Sequence, residues 1–454
     1  MEELTYKLKK LASEIKEQID YNLSQGLIKP DYLVYLKRKI DKFRYTEQGL
    51  TDLAAHDEHI IKKSYFRACL KVQESIEKSA IYSGVFESLQ KIVKDEKKGR
   101  KYVYCFVHRL ILKYLEEPNF KDTDLEKFVA IFLKNIRGES VKYGAKIELD
   151  GIVIIPQKIE FKVGDIDITL RQPKIEDLEK ESLMGVYREP YLSSPSAILE
   201  IEFFGREANE IQTKVNQAIT ILRLFKVGSV RYLSYHTWSE SVIDTGAPSV
   251  VSAMGPSVAL EKSQLCDGNK EKLKKFWETM IKVLPPSFYN LGKTGLDYIT
   301  IAYSRYCDAL LNNGALERRI ANVVMGFESL FLRGEELQEL SYRLRMRIAR
   351  ILALMGSNPY DVRKIIKDSY HIRSLFVHGG CLNNEKKRKL EDRYGNARHF
   401  LLSLLDYLRI CIIIAIFLNK YKKEEFIGII DDSLIDIEKQ DLLNNLLRPV
   451  KEYI

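Results

Sequence analysis

The chain has 454 residues, enough for two or three domains, and its 45% apolar and 30% charged residues describe a globular protein able to bury substantial cores. Net charge is +9, and the excess is concentrated between Glu317 and Lys420, where 19 Lys/Arg stand against 11 Asp/Glu. A basic segment of this kind suits a polyanionic partner, and it equally suits a solvated helical surface. The longest apolar run, "ICIIIAIFL" (Ile410 to Leu418), covers about half of a bilayer, and the N-terminus lacks an apolar signal segment. The expectation is a cytoplasmic protein without a membrane anchor. Six cysteines (Cys69, Cys105, Cys266, Cys307, Cys381, Cys411) lie far apart with no CxxC pair, which reads as reduced and structural.

Residues 1–140 read as helices, since "EELTYKLKKLASEIKEQI", "YFRACLKVQESIEKSAIYSGVFESLQKIVKD" and "DLEKFVAIFLKNI" repeat apolar positions near a 3.6 period. Around Val141 the period changes. "KIELDGIVIIPQKIEFKVGDIDITLRQP" alternates and carries Asp-Gly and Val-Gly-Asp turn signals, so strands are expected. "SAILEIEFFG" reads as another strand, "REANEIQTKVNQAITILRLFK" as a helix, and "SVRYLSYHTW" as a strand. A stretch rich in Gly, Pro and Ser, from Asp244 to Lys270, marks a boundary or a long surface loop. From Glu271 the chain returns to helices, broken at Pro285-Pro286, Asn312-Asn313-Gly314, Gly334, Gly356 and Gly379-Gly380, with one long last helix over about 386–421. The expected fold class is α+β, predominantly α. It comprises a helical N-terminal region (1–140), a small α+β middle domain (141–265) and an up-and-down helical bundle (266–454).

The stretch "SYHIRSLFVHGG" places Arg373 five residues ahead of His378, just before the double glycine. Five residues advance a helix by about 500°, leaving the two side chains roughly 140° apart. The pair can therefore act together if His378 sits in a fraying last turn, or if two copies meet across a symmetric interface. Leu375, Phe376 and Val377 between them favour burial, which puts the pair at the edge of a core or interface. The ordinary alternative is a histidine near a helix C-terminus dipole beside a surface arginine.

"RSLFVHG", late in a basic helical bundle, resembles the R-x4–6-H signature of the HEPN superfamily, with Arg373 and His378 at the signature positions. The upstream "MGFESLFLRGEELQELSYRLRMRIARILAL" is similar to the helix pair preceding that signature in Apea-like HEPN domains. Glu328 there stands where the family often has an acidic residue. The resemblance covers about 295–421. Ser374 follows the arginine, where active members commonly carry Asn, Asp or His. The resemblance implies metal-independent RNA cleavage by a dimer whose two motifs face one groove, typically in prokaryotic phage defence or toxin-type systems. No cofactor is implied. The residue types suit that chemistry: an imidazole can take the proton of a ribose 2′-OH and protonate the 5′-oxygen, and a guanidinium can hold the charge of the phosphorane. The other implied class is a non-catalytic HEPN-like module that dimerises and binds nucleic acid or protein. His371 and Ser374, one turn from the signature, are expected to line its groove.

Other residues carry weaker signals. Arg343, Arg347 and Arg350 share one helical face in "SYRLRMRIAR" and can either track RNA phosphates or form a solvated face. His56 and His59 in "AHDEH", three apart on an expected helix, have a spacing that can bind metal, but no further ligands recur nearby. His399 reads as structural. "LGKTG" (Leu291 to Gly295) lacks the leading glycine and strand of a P-loop. No metal site is expected.

Overall fold

A computed structural model describes residues 1–117, 119–183, 194–244, 250–251, 262–289, 297–312 and 314–453. Helix α1 (Glu2–Ser24) buries Leu4, Leu8, Leu11, Ile15 and Ile19, the three-to-four-residue spacing of a single apolar stripe. The chain then forms an antiparallel hairpin of β1 (Asp31–Thr46) and β2 (Gly49–Ser64), paired from Asp31 against Ser64 to Thr46 against Gly49. This corrects the all-helical expectation for the first 140 residues. β1 is rich in the β-branched and aromatic residues that favour strands, among them Tyr32, Val34, Tyr35, Ile40, Phe43 and Tyr45. The two-residue turn Glu47-Gln48 closes at Gly49, whose φ of +97° favours glycine. At sixteen residues per strand the hairpin is roughly 50 Å long. Its tip is fastened to the middle of the chain. The Tyr45 hydroxyl donates to the Ser196 carbonyl (2.7 Å) and accepts from the Ile154 amide (3.0 Å), while Gln264 Nε2 donates to the Glu47 carbonyl (2.9 Å).

Helices α2 (Phe66–Ile76), α3 (Ala80–Val93), α4 (Glu96–Glu116) and α5 (Asp122–Ile136) complete an N-terminal module with α1. Among the described residues its hydrophobic core is distinct from that of the rest, joined by Val242 and Ile243 from farther along the chain, with Ile131 packing against both.

The middle region contains β3 (Val141–Asp150), β4 (Ile152–Ile154), β5 (Lys158–Val163), β6 (Ile166–Arg171), α6 (Ile175–Leu178), β7 (Lys180–Leu183), β8 (Ala197–Gly205), α7 (Asn209–Phe225), β9 (Arg231–Ser239), β10 (Val250–Val251) and β11 (Ser263–Leu265). Six of these strands form an antiparallel sheet in the order β10-β9-β3-β8-β6-β5. β7 pairs with β1 of the hairpin, and β11 runs parallel to β4. Gly151 and Gly164, in the expected turns, have φ of +79° and +61°.

The rest is helical: α8 (Lys270–Val283), α9 (Tyr298–Leu311), α10 (Leu316–Phe331), α11 (Leu340–Leu354), α12 (Pro359–Val377), α13 (Asn384–Tyr394), α14 (Ala397–Phe417), α15 (Lys423–Asp432) and α16 (Ile437–Lys451). The single long helix expected over 386–421 is two helices. Gly395 adopts φ +81°, and the Asn396 side chain restarts the helix by accepting from the His399 amide at 2.7 Å. α14 is long and apolar enough to cross a membrane by length and composition (mean hydropathy 2.3), but 72% of that stretch is buried inside the fold. At Gly326 of α10, an added Cβ would lie 2.8 Å from Leu408 of α14 and 3.4 Å from the Ala302 carbonyl of α9, so glycine permits this three-helix crossing.

Sheet and bundle share one continuous hydrophobic core running from Val141 to Val450. The boundary read near residue 265 is therefore no break in packing. Residues 245–249 and 252–261 of the Gly/Pro/Ser-rich stretch, and all of Leu291 to Gly295, lie outside the described residues.

Candidate functional site

α12 carries the signature pair, and local chemistry sets both of its ends. The Asn358 side chain accepts from the Tyr360 amide (2.9 Å) and Pro359 occupies the first helical position. At the other end the Gly380 amide reaches the Leu375 carbonyl (2.8 Å) and the Gly379 amide the Phe376 carbonyl (3.0 Å). These are the two bonds of a Schellman motif. It requires the left-handed φ of +77° that Gly379 supplies. His378 is thereby the last capping residue, exposed, and its side chain makes no hydrogen bond to Arg373 or to the final carbonyls.

Arg373 is half-buried, and α10 and α12 bring it to Glu328. Its Nη2 donates to Glu328 Oε2 at 3.0 Å. The guanidinium also lies 5.8 Å from the centre of the Tyr370 ring. Its Nε is enclosed without a partner. Burial pushes the Glu328 carboxyl above its usual range, and the Arg373 charge and hydrogen bond oppose that rise. The pair is thus mutually dependent: the carboxylate orients the fork, and the fork's charge opposes the rise that burial causes. Ser374 is half-buried and His371 exposed beside it.

Phe376 and Val377 depart from the burial expected of them. They are 37% and 53% exposed, and they line a cleft of about 280 Å³ with Arg305 and Asp308 of α9 and Arg318 and Asn322 of α10. Apolar side chains standing open between the arginine and the histidine, beside two further cations, make an uncovered patch at the site.

The arginine trio of α11 is corrected by the structure. Arg347 is 2% exposed and every donor is taken. Its Nε and Nη2 reach the two Asp431 oxygens (both 2.7 Å), Nη2 and Nη1 reach the two Glu336 oxygens (2.6 and 2.8 Å), and Nη1 also reaches the Phe331 carbonyl (2.7 Å). Arg343 joins the same Glu336 (3.1 Å), and Arg350 Nε donates to Ser433 Oγ (3.1 Å). The shared face turns toward α15, so Arg347 ties the bundle together and cannot track phosphates.

A different surface has the composition for nucleic acid. Tyr342 and Arg345 of α11 and Lys367 and Tyr370 of α12 line one shallow groove, in which the Arg345 guanidinium stands 5.0 Å from the Tyr342 ring centre. Lys367, Tyr370 and Arg373 follow one another at three-residue intervals, so the groove leads to the signature arginine. Aromatic faces stack bases and adjacent cations hold phosphates. The signal was present in "SYRLR", where aromatic and cationic residues interleave.

The possible metal pair also changes. His56 and His59 lie on β2, where an odd spacing points them to opposite faces, and His56 bonds Asp41 across the hairpin at 2.9 Å. Among the described residues no three His, Cys, Asp or Glu side chains cluster as a metal site. Compared with known protein families, curated proteins and solved structures, the chain gives no match.

Proposed function

We propose that the bundle is a HEPN-type, metal-independent endoribonuclease of the cytoplasm, acting in prokaryotic phage defence or a toxin-type system. The observation that carries the reading is the Glu328–Arg373 ion pair, set less than two turns before an exposed histidine at a helix end. In this reading the imidazole of His378 takes the proton of the ribose 2′-OH and returns one to the 5′-oxygen. The Nη donors of Arg373 that Glu328 does not engage, with no other acceptor among the described residues, bind the phosphorane oxygens. The groove of Tyr342, Arg345, Lys367 and Tyr370 supplies the RNA approach.

Incubation of the protein with total RNA in EDTA tests the chemistry. Cleavage is expected to persist, leaving 2′,3′-cyclic phosphate and 5′-hydroxyl ends. RNA retained uncut would favour the second reading, a non-catalytic HEPN-like module that dimerises and binds nucleic acid or protein, to which Ser374 beside the arginine points.

Dimerisation supplies what one chain lacks. His378 and Arg373 do not touch within a protomer, and a second copy seated on Phe376 and Val377 would cover that patch and set two motifs face to face. Sedimentation at micromolar concentration is expected to give a dimer and Phe376→Glu a monomer. A strict monomer for the unaltered chain would count against this assembly.

A further inference from the structure

The long hairpin leaves one edge of its sheet open. The strand order is β2-β1-β7, and among the described residues no strand pairs with the outer edge of β2. From Ala55 to Ser64 the ladder to β1 is regular, its register shifts lying between Ala55 and Thr51. The backbone groups of this stretch that face away from β1 are therefore arrayed as a template for a further strand. Along it the side chains of Asp57, His59, Ile61, Lys62 and Lys63 are exposed.

Charges on such an edge ordinarily repel a second strand. Here their order favours one partner, another copy of the same strand. In "HDEHIIKKS" (His56 to Ser64) two acids precede Ile60 and two bases follow it at matching distances, Asp57 with Lys63 and Glu58 with Lys62. Opposed residues of an antiparallel pair either both bond across it or both do not, so a strand pairs with its own copy about a residue and not about a peptide bond. Centring on Asp57 or Glu58 sets like charges face to face, and centring on His59 or Ile61 sets a histidine against a lysine. Centring on His56 opposes no unlike charges. Only Ile60 as the centre sets Asp57 against Lys63 and Glu58 against Lys62, each twice by symmetry. These groups have room for the contact. Asp57 lies 3.8 Å from the Arg38 guanidinium and Glu58 3.6 Å from the Lys39 ammonium, both beyond hydrogen-bond distance. Lys62 bonds Glu181 within the chain, and among the described residues no ion pair engages Lys63. The apolar side chains agree. Ile61 is 68% exposed beside its cross-strand neighbour Val34, itself 39% exposed. Pairing about Ile60 sets Ile61 diagonal to Ile61 of the second copy on one face, and Ile60 against Ile60 on the other.

We propose that β2 is a self-recognition edge: it pairs antiparallel with β2 of a second copy, centred on Ile60, so that the sheet continues from β7-β1-β2 into the β2-β1-β7 of that copy. A strand pair of this length is a small interface, so association is expected at about 100 µM, well above the micromolar range of the bundle patch. The inference stands independently of the ribonuclease reading, because no residue of the bundle takes part. With the bundle dimer also formed, each chain would present two unlike two-fold contacts, which together build larger assemblies.

Sedimentation velocity of the full chain carrying Phe376→Glu, which removes the bundle contact, tests it over about 10–500 µM. Reversible dimerisation is expected across that range. Adding Asp57→Lys, or separately Lys63→Asp, should weaken self-association by about tenfold or more, because each change opposes like charges twice, while circular dichroism shows the fold retained. An equimolar mixture of those two proteins should associate again, since unlike charges then face each other at both places. The proposal is overturned if the folded Phe376→Glu protein sediments as a monomer throughout, or if both added variants associate as strongly as it does. It is also overturned if their mixture associates no better than either variant alone.

Discussion

His378→Ala is expected to lower RNA turnover by about 10²–10⁴-fold, the usual worth of a positioned general acid–base group, with little change in RNA affinity. The side chain stands exposed at the end of α12 and makes no hydrogen bond among the described residues, so its loss should leave the melting temperature where it was. Arg373→Lys should also abolish cleavage although the charge remains. An ammonium cannot present the planar fork that a phosphorane accepts, nor reproduce the oriented bond to Glu328 (3.0 Å). Single-turnover cleavage and filter binding on the two variants, beside thermal melts, separate chemistry from binding and from folding. Undiminished turnover in His378→Ala would end the ribonuclease reading, because a histidine that merely closes a helix has no proton to move.

Arg347→Ala should produce the largest loss of stability, about 3–5 kcal/mol, since it leaves the enclosed Glu336 carboxylate with only the more exposed Arg343 as its cation and strips Asp431 of its main partner. Side chains of Arg347 and Glu336 are 2% and 6% exposed, so water cannot replace the missing cation cheaply. Arg343→Ala, which removes the more exposed cation from the same carboxylate, should cost about 1 kcal/mol or less. The pH dependence follows from Glu336, whose carboxyl is held down at about 2, first by its hydrogen bond to Arg347 and against the opposing effect of burial. Because the folded value is depressed, the stability it contributes is complete above the ordinary carboxylate range and drains away as pH falls from about 5 toward 2. Urea melts across that window should show the unaltered chain losing stability on acidification, and Arg347→Ala losing much less over the same interval. Equal melts for the Arg343 and Arg347 variants would show that the buried network is not what joins α11 to α15.

What could be read in the sequence was whatever short-range chemistry decides. The stop of α12 at Gly379-Gly380 and the Asp150-Gly151 turn each depend on a few neighbouring residues, and they stand where the glycine signals put them. The strands from Val141 to Arg171 were legible because one or both faces are buried, which forces alternation or continuous apolar runs. The hairpin of 31–64 was not, because much of both its faces meets water and no burial pattern is imposed on β2, where Ala54 and Ala55 carry no strand preference. Gly395 likewise read as an interior residue of one helix, although its φ of +81° ends α13.

The site divides along the same line. Arg373, His378 and Glu328 were named from a motif, but the 3.0 Å bond joining residues 45 positions apart exists only because α10 packs against α12. The periodicity of "SYRLRMRIAR" grouped Arg343, Arg347 and Arg350 on one face without saying what that face meets. The partner is Asp431, 84 residues beyond Arg347, so only the docking of α15 converts an apparent phosphate-binding stripe into an internal tie and leaves Arg345 beside Tyr342 in the groove. Local sequence determines where a helix begins, ends and turns its apolar side. Which polar side chains converge is decided by long-range packing, because an interaction between charges depends on their distance and on the water between them, and neither is set by position along the chain.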